Sequence, residues 1–424
     1  MDDDDDPDAE WFAMQEERYG NGVWEVVEEE PVAEPADDKP AGQDELATVE
    51  AFDFKESEIP PRPWIIPGVM LAGYTHMLAA PGGSGKSLFT LQLAIALGTG
   101  TAWGDLEPRK PCRTLVINVE DDLDEQRRRL SAARRIMEPD MWELSGMIYL
   151  AQNPENIIVA RSDPSRKTVV ATPIVETLCR FITENNIDVL IVDPFAETFE
   201  GDENSNSEVK WAMKVWRDQI AKPTGCAVYL VHHTTKHAGG GAGDADIVRG
   251  AGAIVNSTRI TSTLMPMTVD EAEAAGINPA NRFLYVRFDD AKANQSLKSG
   301  KARWFEKVSV TLGNGTEEGS ADEVGALRPW RIPGPFDGIT VSHLKRVQHA
   351  IGNGKWKHDH RSPEWVGRAV ADVLMLDPDE KKDRTRITLL LKEWIKNEVL
   401  CVVEDFDNQR KLKKFVEVGK WVEE

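Results

Sequence analysis

Cysteine is scarce in this chain. There are four, Cys112, Cys179, Cys226 and Cys401, and no two stand at a Cys-x-x-Cys spacing. That excludes a disulfide framework or a zinc ribbon and leaves buried, reduced thiols of a cytoplasmic protein as the expectation. No unbroken run of 18 apolar residues occurs, so no membrane span is expected. The opening MDDDDDPDAEWF is the reverse of a basic segment followed by an apolar one, which argues against a secretory leader.

Positive charge is also short, with a formal net charge of −22 over 424 residues. The deficit is local. Residues 1–50 hold 19 acids against Arg18 and Lys39, and the remaining 53 acids and 48 bases leave only −5. The first 54 residues therefore read as a disordered acidic arm. Its aromatic pieces EWFAM and NGVWEVV suit a solubilising tail or a docking peptide for a replication or recombination partner. The near-neutral remainder does not exclude nucleic acid.

What the chain has is alternation. Apolar strands at 74–80, 113–120, 187–193 and 226–233 are separated by helical patterns at 87–98, 122–137 and 207–222. Continuous Val/Ile/Leu strands between helices predict an α/β fold with a parallel sheet covered on both faces. Strand-like segments at RITSTLM, NRFLYVRFDD and ARWFEKVSV read as antiparallel additions at its edge. The Gly-rich, acidic stretch 312–330 reads as a linker.

The first of these strands runs into APGGSGKS. Pro81, Gly82, Gly83, Ser84, Gly85, Lys86, Ser87 and Leu88 form a strand–loop–helix junction of the P-loop type, although Ala80 stands where the usual pattern opens with glycine. Glycines let backbone N–H groups face a triphosphate, and the helix N-terminus adds positive potential. Lys86 is placed to reach the β- and γ-phosphates of ATP, and the Ser87 hydroxyl to coordinate Mg²⁺. Asp193, closing VLIVD, supplies the carboxylate that a Mg²⁺ shell needs. Asp193 is followed by Pro194, so the residue orienting water must lie elsewhere. Glu120, at the tip of the strand after the P-loop helix, is the candidate; the alternative is that Glu120 and Asp121 only cap the next helix.

His232 and His233 end the strand VYLVHH, where a side chain can hydrogen-bond the γ-phosphate. A metal site there is disfavoured, because no third ligand stands at useful spacing. The Gly-rich run 239–243 suits a mobile loop. Arg249 and Arg259 follow it. Either can act within its own subunit as an ion-pair partner or reach a neighbour's γ-phosphate.

Taken together, APGGSGKSLFTLQLA, VINVEDD, VLIVDPF, GDENSNS, VYLVHHTTK, VRGAGAIVNSTR, MTVDEAEAAGI and YVRFDDAKANQ…RWF resemble the RepA-type hexameric helicases of plasmids and phages, within the RecA-like superfamily. The resemblance covers about residues 60–310 in order. It implies a RecA-like core, a hexameric ring, ATP sites between subunits and single-stranded DNA in a central channel. It further implies that Lys86 and Ser87 bind phosphate and metal, Asp193 holds the metal water and Glu120 is the base. His233 would couple the γ-phosphate to the DNA-facing loop, and Arg259, with Arg249 second, would be the arginine finger.

The last portion, 337–424, changes character, with 17 Lys/Arg against 16 acids and four of the eight histidines. SPEWVGRAVADVLML and EKKDRTRITLLLKEWIKNEV read as helices, Ser362 capping the first, and LCVVEDFDNQRKLKKFVEVG as strand–turn–strand. That is a winged-helix pattern, suited to a phosphate backbone or to a protein partner. The predicted organisation is an arm over 1–54, an ATPase core over 55–312, a linker over 313–336 and a winged-helix-like α+β domain over 337–424. The leading functional expectation is an ATP-hydrolysing motor on single-stranded DNA. An ATP-controlled DNA-binding switch without unwinding is the alternative. A small-molecule kinase is disfavoured, since no acceptor-site lid is visible.

Overall fold

The structure is a computed structural model that describes residues 51, 54–163, 165, 168–234, 252–293, 302–316, 319–407 and 410–422. The chain divides into two units, residues 1–61 and 62–424. Almost all of the acidic arm, the Gly-rich run 239–243 and Arg249 lie outside the described residues.

The second unit is built on a nine-stranded sheet. Its strands in chain order are β1 (Thr75–Pro81), β2 (Thr114–Asn118), β3 (Ile148–Leu150), β4 (Val189–Asp193), β5 (Ala227–Thr234), β6 (Ile260–Pro266), β7 (Tyr285–Ala293), β8 (Arg303–Thr311) and β9 (Glu323–Trp330). The spatial order is β9-β8-β7-β6-β1-β5-β4-β2-β3. From β6 to β3 neighbours run parallel, and β6 to β9 pair antiparallel. This is the expected α/β core with a central parallel sheet. RITSTLM is not simply an edge addition: β6 pairs parallel with β1 on one side and antiparallel with β7 on the other.

Both faces of the sheet are buried, as its unbroken apolar strands require. On one face, helix α1 (Lys86–Thr99) packs with Phe89 against Phe288, Phe305 and Trp103, ring centroids 5.0, 5.6 and 5.2 Å away. Helix α2 (Leu123–Met137), capped by Asp122 accepting from Glu125 N–H, lies on the same side. On the other face, α3 (Ile174–Glu184) and α4 (Asn206–Lys214) bury Val175, Leu178, Ile182, Val209 and Met213 against Leu190, Val192 and Leu230. The expected helix over 207–222 does not stay α: it widens into a π-helix over Val215–Ala221, which seats the buried Trp216 and Ile220.

The linker expectation needs correction. Residues 323–330 of that stretch are β9, hydrogen-bonded along the whole of β8. Val324, Ala326 and Leu327 are buried, an inward alternation masked in the sequence by Gly325 and the flanking acids. Gln92 of α1 completes the anchorage. Its amide donates to Leu327 O at 2.8 Å, and its Oε1 accepts from Leu327 N at 2.6 Å.

The C-terminal part holds α5 (Val341–Gly352), α6 (Val366–Leu374), α7 (Lys381–Lys396) and a small antiparallel sheet. The strands of that sheet are β10 (Trp356–Lys357), β11 (Leu400–Phe406) and β12 (Leu412–Val418), in the order β10-β12-β11. Val347, Ile351, Val370, Ile387, Leu390, Trp394, Leu400 and Val416 form its own apolar cluster. Ser362 does not cap α6. It closes a turn in which Trp365 N–H reaches Ser362 O at 3.1 Å, and the helix starts at Val366. All four cysteines are free, Cys112 and Cys226 buried and the other two half-buried. Among the described residues no helix is long and apolar enough to cross a membrane.

Candidate functional site

Four strand ends, those of β1, β5, β4 and β2, converge at the C-terminal edge of the sheet. β1 ends at Pro81 and the chain turns through Gly82, Gly83, Ser84 and Gly85 into α1. Gly83 and Gly85 adopt φ of +75° and +95°, the left-handed region that side-chain-bearing residues resist. The turn delivers Lys86, Ser87 and Leu88 to the first turn of α1, where unpaired N–H groups and the helix dipole favour an anion. Around it lies a cleft of about 600 Å³ lined by Gly83, Gly85, Lys86, Ser87, Leu88, Glu120 and His233, among others.

β5 lies beside β1 with His233 opposite Ala80. Lys86, 5% exposed, donates from Nζ to His233 Nδ1 at 3.0 Å. The other ring nitrogen, Nε2, stands 3.0 Å from Glu120 Oε1. One tautomer satisfies both contacts, with Nδ1 accepting and Nε2–H donating. Three of the residues picked from sequence thus form one hydrogen-bonded chain. Burial lowers the Lys86 pKa, while Asp193 and Glu120 oppose the shift.

β4 sits between β5 and β2 and ends at Asp193, which is fully buried. Both its carboxylate oxygens lack a hydrogen-bond partner, and burial pushes its pKa up to about 6. The neighbouring Ser87 hydroxyl, though outside hydrogen-bond geometry, and Lys86 pull it back in part. A buried carboxylate with two orphaned oxygens is costly unless something fills its coordination. A divalent cation beside Ser87 fits that need. Among the described residues no group of three or more His, Cys, Asp or Glu side chains could cage a metal. The donor set is therefore that of a Mg²⁺ shared with nucleotide oxygens rather than a site built wholly from protein.

Glu120 stands just past β2 because of a residue that sequence reasoning missed. Asn118, 1% exposed, accepts at Oδ1 from the N–H of Glu120 and of Asp121, both at 3.0 Å, and donates from Nδ2 to Asp121 Oδ2 at 3.0 Å. Asp121 is also held by Arg129 at 2.6 Å. The two adjacent acids thus differ in employment: Asp121 is locked into the turn, and Glu120 faces His233 and the cleft. Lys307 of β8 was missed too. It lines the cleft and donates to Gly83 O at 2.8 Å.

Two of the candidates lie apart from this cleft within one chain. His232 packs edge-on to Phe195 at 6.5 Å rather than facing the cleft, with its Nδ1 buried and unpartnered, and burial lowers its pKa to about 4. Arg259 precedes β6, its N–H bonded to Thr75 O at 2.8 Å and its guanidinium 5.3 Å from the Tyr74 ring centroid. That is the opposite end of β1 from the P-loop, roughly 20 Å away at ~3.3 Å per strand residue.

Residues 42–239 match the family model of an AAA domain. Among solved structures, the KaiC-like protein PH0186 from the archaeon Pyrococcus horikoshii OT3 is 14% identical with a TM-score of 0.37, covering 63% of this chain and 94% of its own. The RadB recombinase is 12% identical with a TM-score of 0.34, covering 55% of this chain and 87% of its own. Over residues 42–239 the chain is thus similar to an AAA domain, and the parallel sheet with its P-loop turn has the architecture of a nucleotide-phosphate site.

Proposed function

We propose that this protein is a RecA/RepA-like motor that hydrolyses ATP between subunits of a homo-oligomeric ring, a hexamer, and acts on single-stranded DNA. The observation that carries the reading is the bonded chain Lys86–His233–Glu120 at the phosphate cleft. A γ-phosphate arriving at Lys86 competes with His233 for the ammonium, and Glu120 is released toward water when His233 turns to the phosphate. Glu120 then orients the attacking water and accepts its proton as the water oxygen bonds to the γ-phosphorus and the bond from that phosphorus to the bridging oxygen breaks, releasing ADP. Mg²⁺, held by Ser87 and Asp193, would neutralise phosphate charge. His233 is the next-to-last residue of β5, ahead of the Gly-rich run in sequence, so nucleotide state and the segment proposed to meet DNA are linked through one strand.

The supply of a guanidinium from a neighbour fits the charge inventory. Arg128 and Arg129, which line the cleft, are both spoken for: Arg128 by Glu125 and Asp322, Arg129 by Asp121 and Glu125. Arg259, or Arg249, of an adjacent subunit is proposed as the finger. In the C-terminal part, proposed as a winged-helix-like DNA contact, Lys355, Lys357 and Arg361 are paired with Asp405, Glu364 and Asp359. Lys392, Lys413 and Lys414 make no ion pair among the described residues and are the better candidates for phosphate contact. The acidic arm is proposed to dock a replication or recombination partner.

The test is ATP turnover with and without single-stranded DNA across a salt series, with particle mass measured in parallel. Stimulation that falls steeply with salt, on a multi-subunit particle, is expected. Turnover indifferent to every nucleic acid, or full activity as a monomer, overturns the motor. Stimulation without displacement of a labelled strand selects the non-unwinding switch.

A further inference from the structure

We infer that Lys307 is a second phosphate-binding lysine of the nucleotide site, acting on the flank of the P-loop opposite to the hydrolytic residues. The inference rests on the ATPase reading and goes beyond it in residue and role.

Four cations line the cleft: Lys86, Arg128, Arg129 and Lys307. The two arginines are ion-paired, and Lys86 is engaged with His233. Lys307 is different. It is half-buried and bonds only to the carbonyl of Gly83, at 2.8 Å, and no carboxylate pairs with it among the described residues. Burial lowers its pKa. An ammonium desolvated in this way and held by one neutral acceptor is a poor arrangement unless an anion joins it.

Its position says which anion. Lys307 Cε would lie 3.4 Å from a Cβ placed on Gly85, so the side chain lies across the loop that turns into α1. The sheet order places β8 on one side of β1 and β5, β4 and β2 on the other. Glu120, His233 and Asp193 therefore approach the loop from one flank and Lys307 from the other. A triphosphate in the loop would have its terminal phosphate among the first group and its sugar-proximal phosphates beside Lys307. The lysine contributes to holding the nucleotide and does not touch the reacting bond. Its bond to Gly83 O also keeps that carbonyl turned from the phosphates, so that N–H groups face the ligand.

The experiment compares the full-length wild-type chain with Lys307→Met and Lys307→Arg in ATP turnover and in competition by ADP and AMP. A charge-assisted contact of this kind corresponds to roughly tenfold to a hundredfold in affinity. Lys307→Met is expected to raise KM for ATP by about that factor with kcat within about twofold. The loss should be about equal for ATP and ADP, which share the sugar-proximal phosphates, and smaller for AMP, and Lys307→Arg should restore most of it. Unchanged KM in the Met variant, or a fall in kcat at constant KM, overturns the assignment. A second readout uses no variant: Mg²⁺-ATP should protect Lys307 of the wild-type chain from an amine-acetylating reagent, read by mass spectrometry. Equal labelling with and without nucleotide overturns it. A wild-type chain that binds no nucleotide at all sinks the ATPase reading itself, whereas normal wild-type binding with an indifferent Met variant sinks only this inference.

Discussion

His233 Nε2 stands 3.0 Å from Glu120 Oε1, so the residue proposed to sense nucleotide and the residue proposed to orient water share a hydrogen bond. The same ring takes Lys86 Nζ on its other side at 3.0 Å. A triphosphate cannot recruit Lys86 without disturbing this chain, and the disturbance reaches Glu120 directly. On the proposed reading the base is occupied until nucleotide arrives, which would restrain idle hydrolysis. Three predictions about the site and the fold are independent of the DNA question, and a fourth concerns pH.

Glu120→Gln keeps the shape of the side chain and removes its basicity. Turnover should fall by about 10²–10⁴-fold while nucleotide still binds, since general-base catalysis has that magnitude. Asp121→Asn should cost much less, because Asp121 is held by Asn118 and Arg129 rather than facing the phosphate. Steady-state turnover and equilibrium nucleotide binding on both variants check this. If Asp121→Asn is the more damaging, the base has been misassigned.

Asn118→Ala should lower kcat by about tenfold with a smaller change in KM. The substitution strips the acceptor from two backbone N–H groups, those of Glu120 and Asp121, and lets the carboxylate wander from its productive direction. Because Asn118 touches no substrate, it is a positioning residue. The pH profile of kcat should shift in the variant along with its magnitude, which a simple loss of stability would not produce.

Much of the core was legible because its signals are local. APGGSGKS, the strand VLIVD and the strand VYLVHH each carry their periodicity and punctuation within a few residues, and the structure brings Lys86, Ser87 and His233 to one cleft with Asp193 buried beside Ser87 and Lys86. What was illegible depends on partners far off in sequence. β9 looks like a linker because Gly325 and its acids hide the alternation, and only Gln92, 235 residues away, reveals it as a packed edge. Lys307 carries no motif; its meaning comes from lying 224 residues from Gly83 in sequence and 2.8 Å from it in space. Asn118 reads as the polar end of a strand until its two backbone partners are seen. Ser362 shows the converse failure, in which a good local capping pattern lost to the turn made by Trp365.

Gln92→Leu should destabilise the protein by about 2–4 kcal/mol. It removes two buried hydrogen bonds and strands both Leu327 N–H and Leu327 C=O, at about 1–3 kcal/mol for each orphaned group. Urea unfolding gives the number, and proteolysis should open the stretch 312–330 first. A variant as stable as the wild type with β9 still protected would show that the β8 ladder alone holds the edge.

His76 supplies a pH dependence whose sign can be worked out. The ring is fully buried in β1, with Nε2 3.1 Å from Leu71 N and 2.9 Å from Leu71 O, and burial lowers its pKa to about 4. In the unfolded chain it titrates near its usual value of about 6.5. Above that value neither state binds the proton and the group is neutral toward stability. As pH falls from 6.5 toward 4 only the unfolded chain takes the proton, so stability is lost, by about 2 kcal/mol at pH 5. His232, lowered to about 4 as well, acts in the same direction, and buried acids such as Asp193 act in the opposite one. A comparison with His76→Gln isolates the contribution, since glutamine keeps a polar group near Leu71 and cannot titrate. Urea midpoints at pH 7 and pH 5 should show the variant less stable than the wild type at pH 7, with that gap narrowing by about 2 kcal/mol at pH 5. A gap that is constant with pH would mean that His76 titrates in the folded chain as it does in the unfolded one, and that its burial carries no penalty for the charged ring.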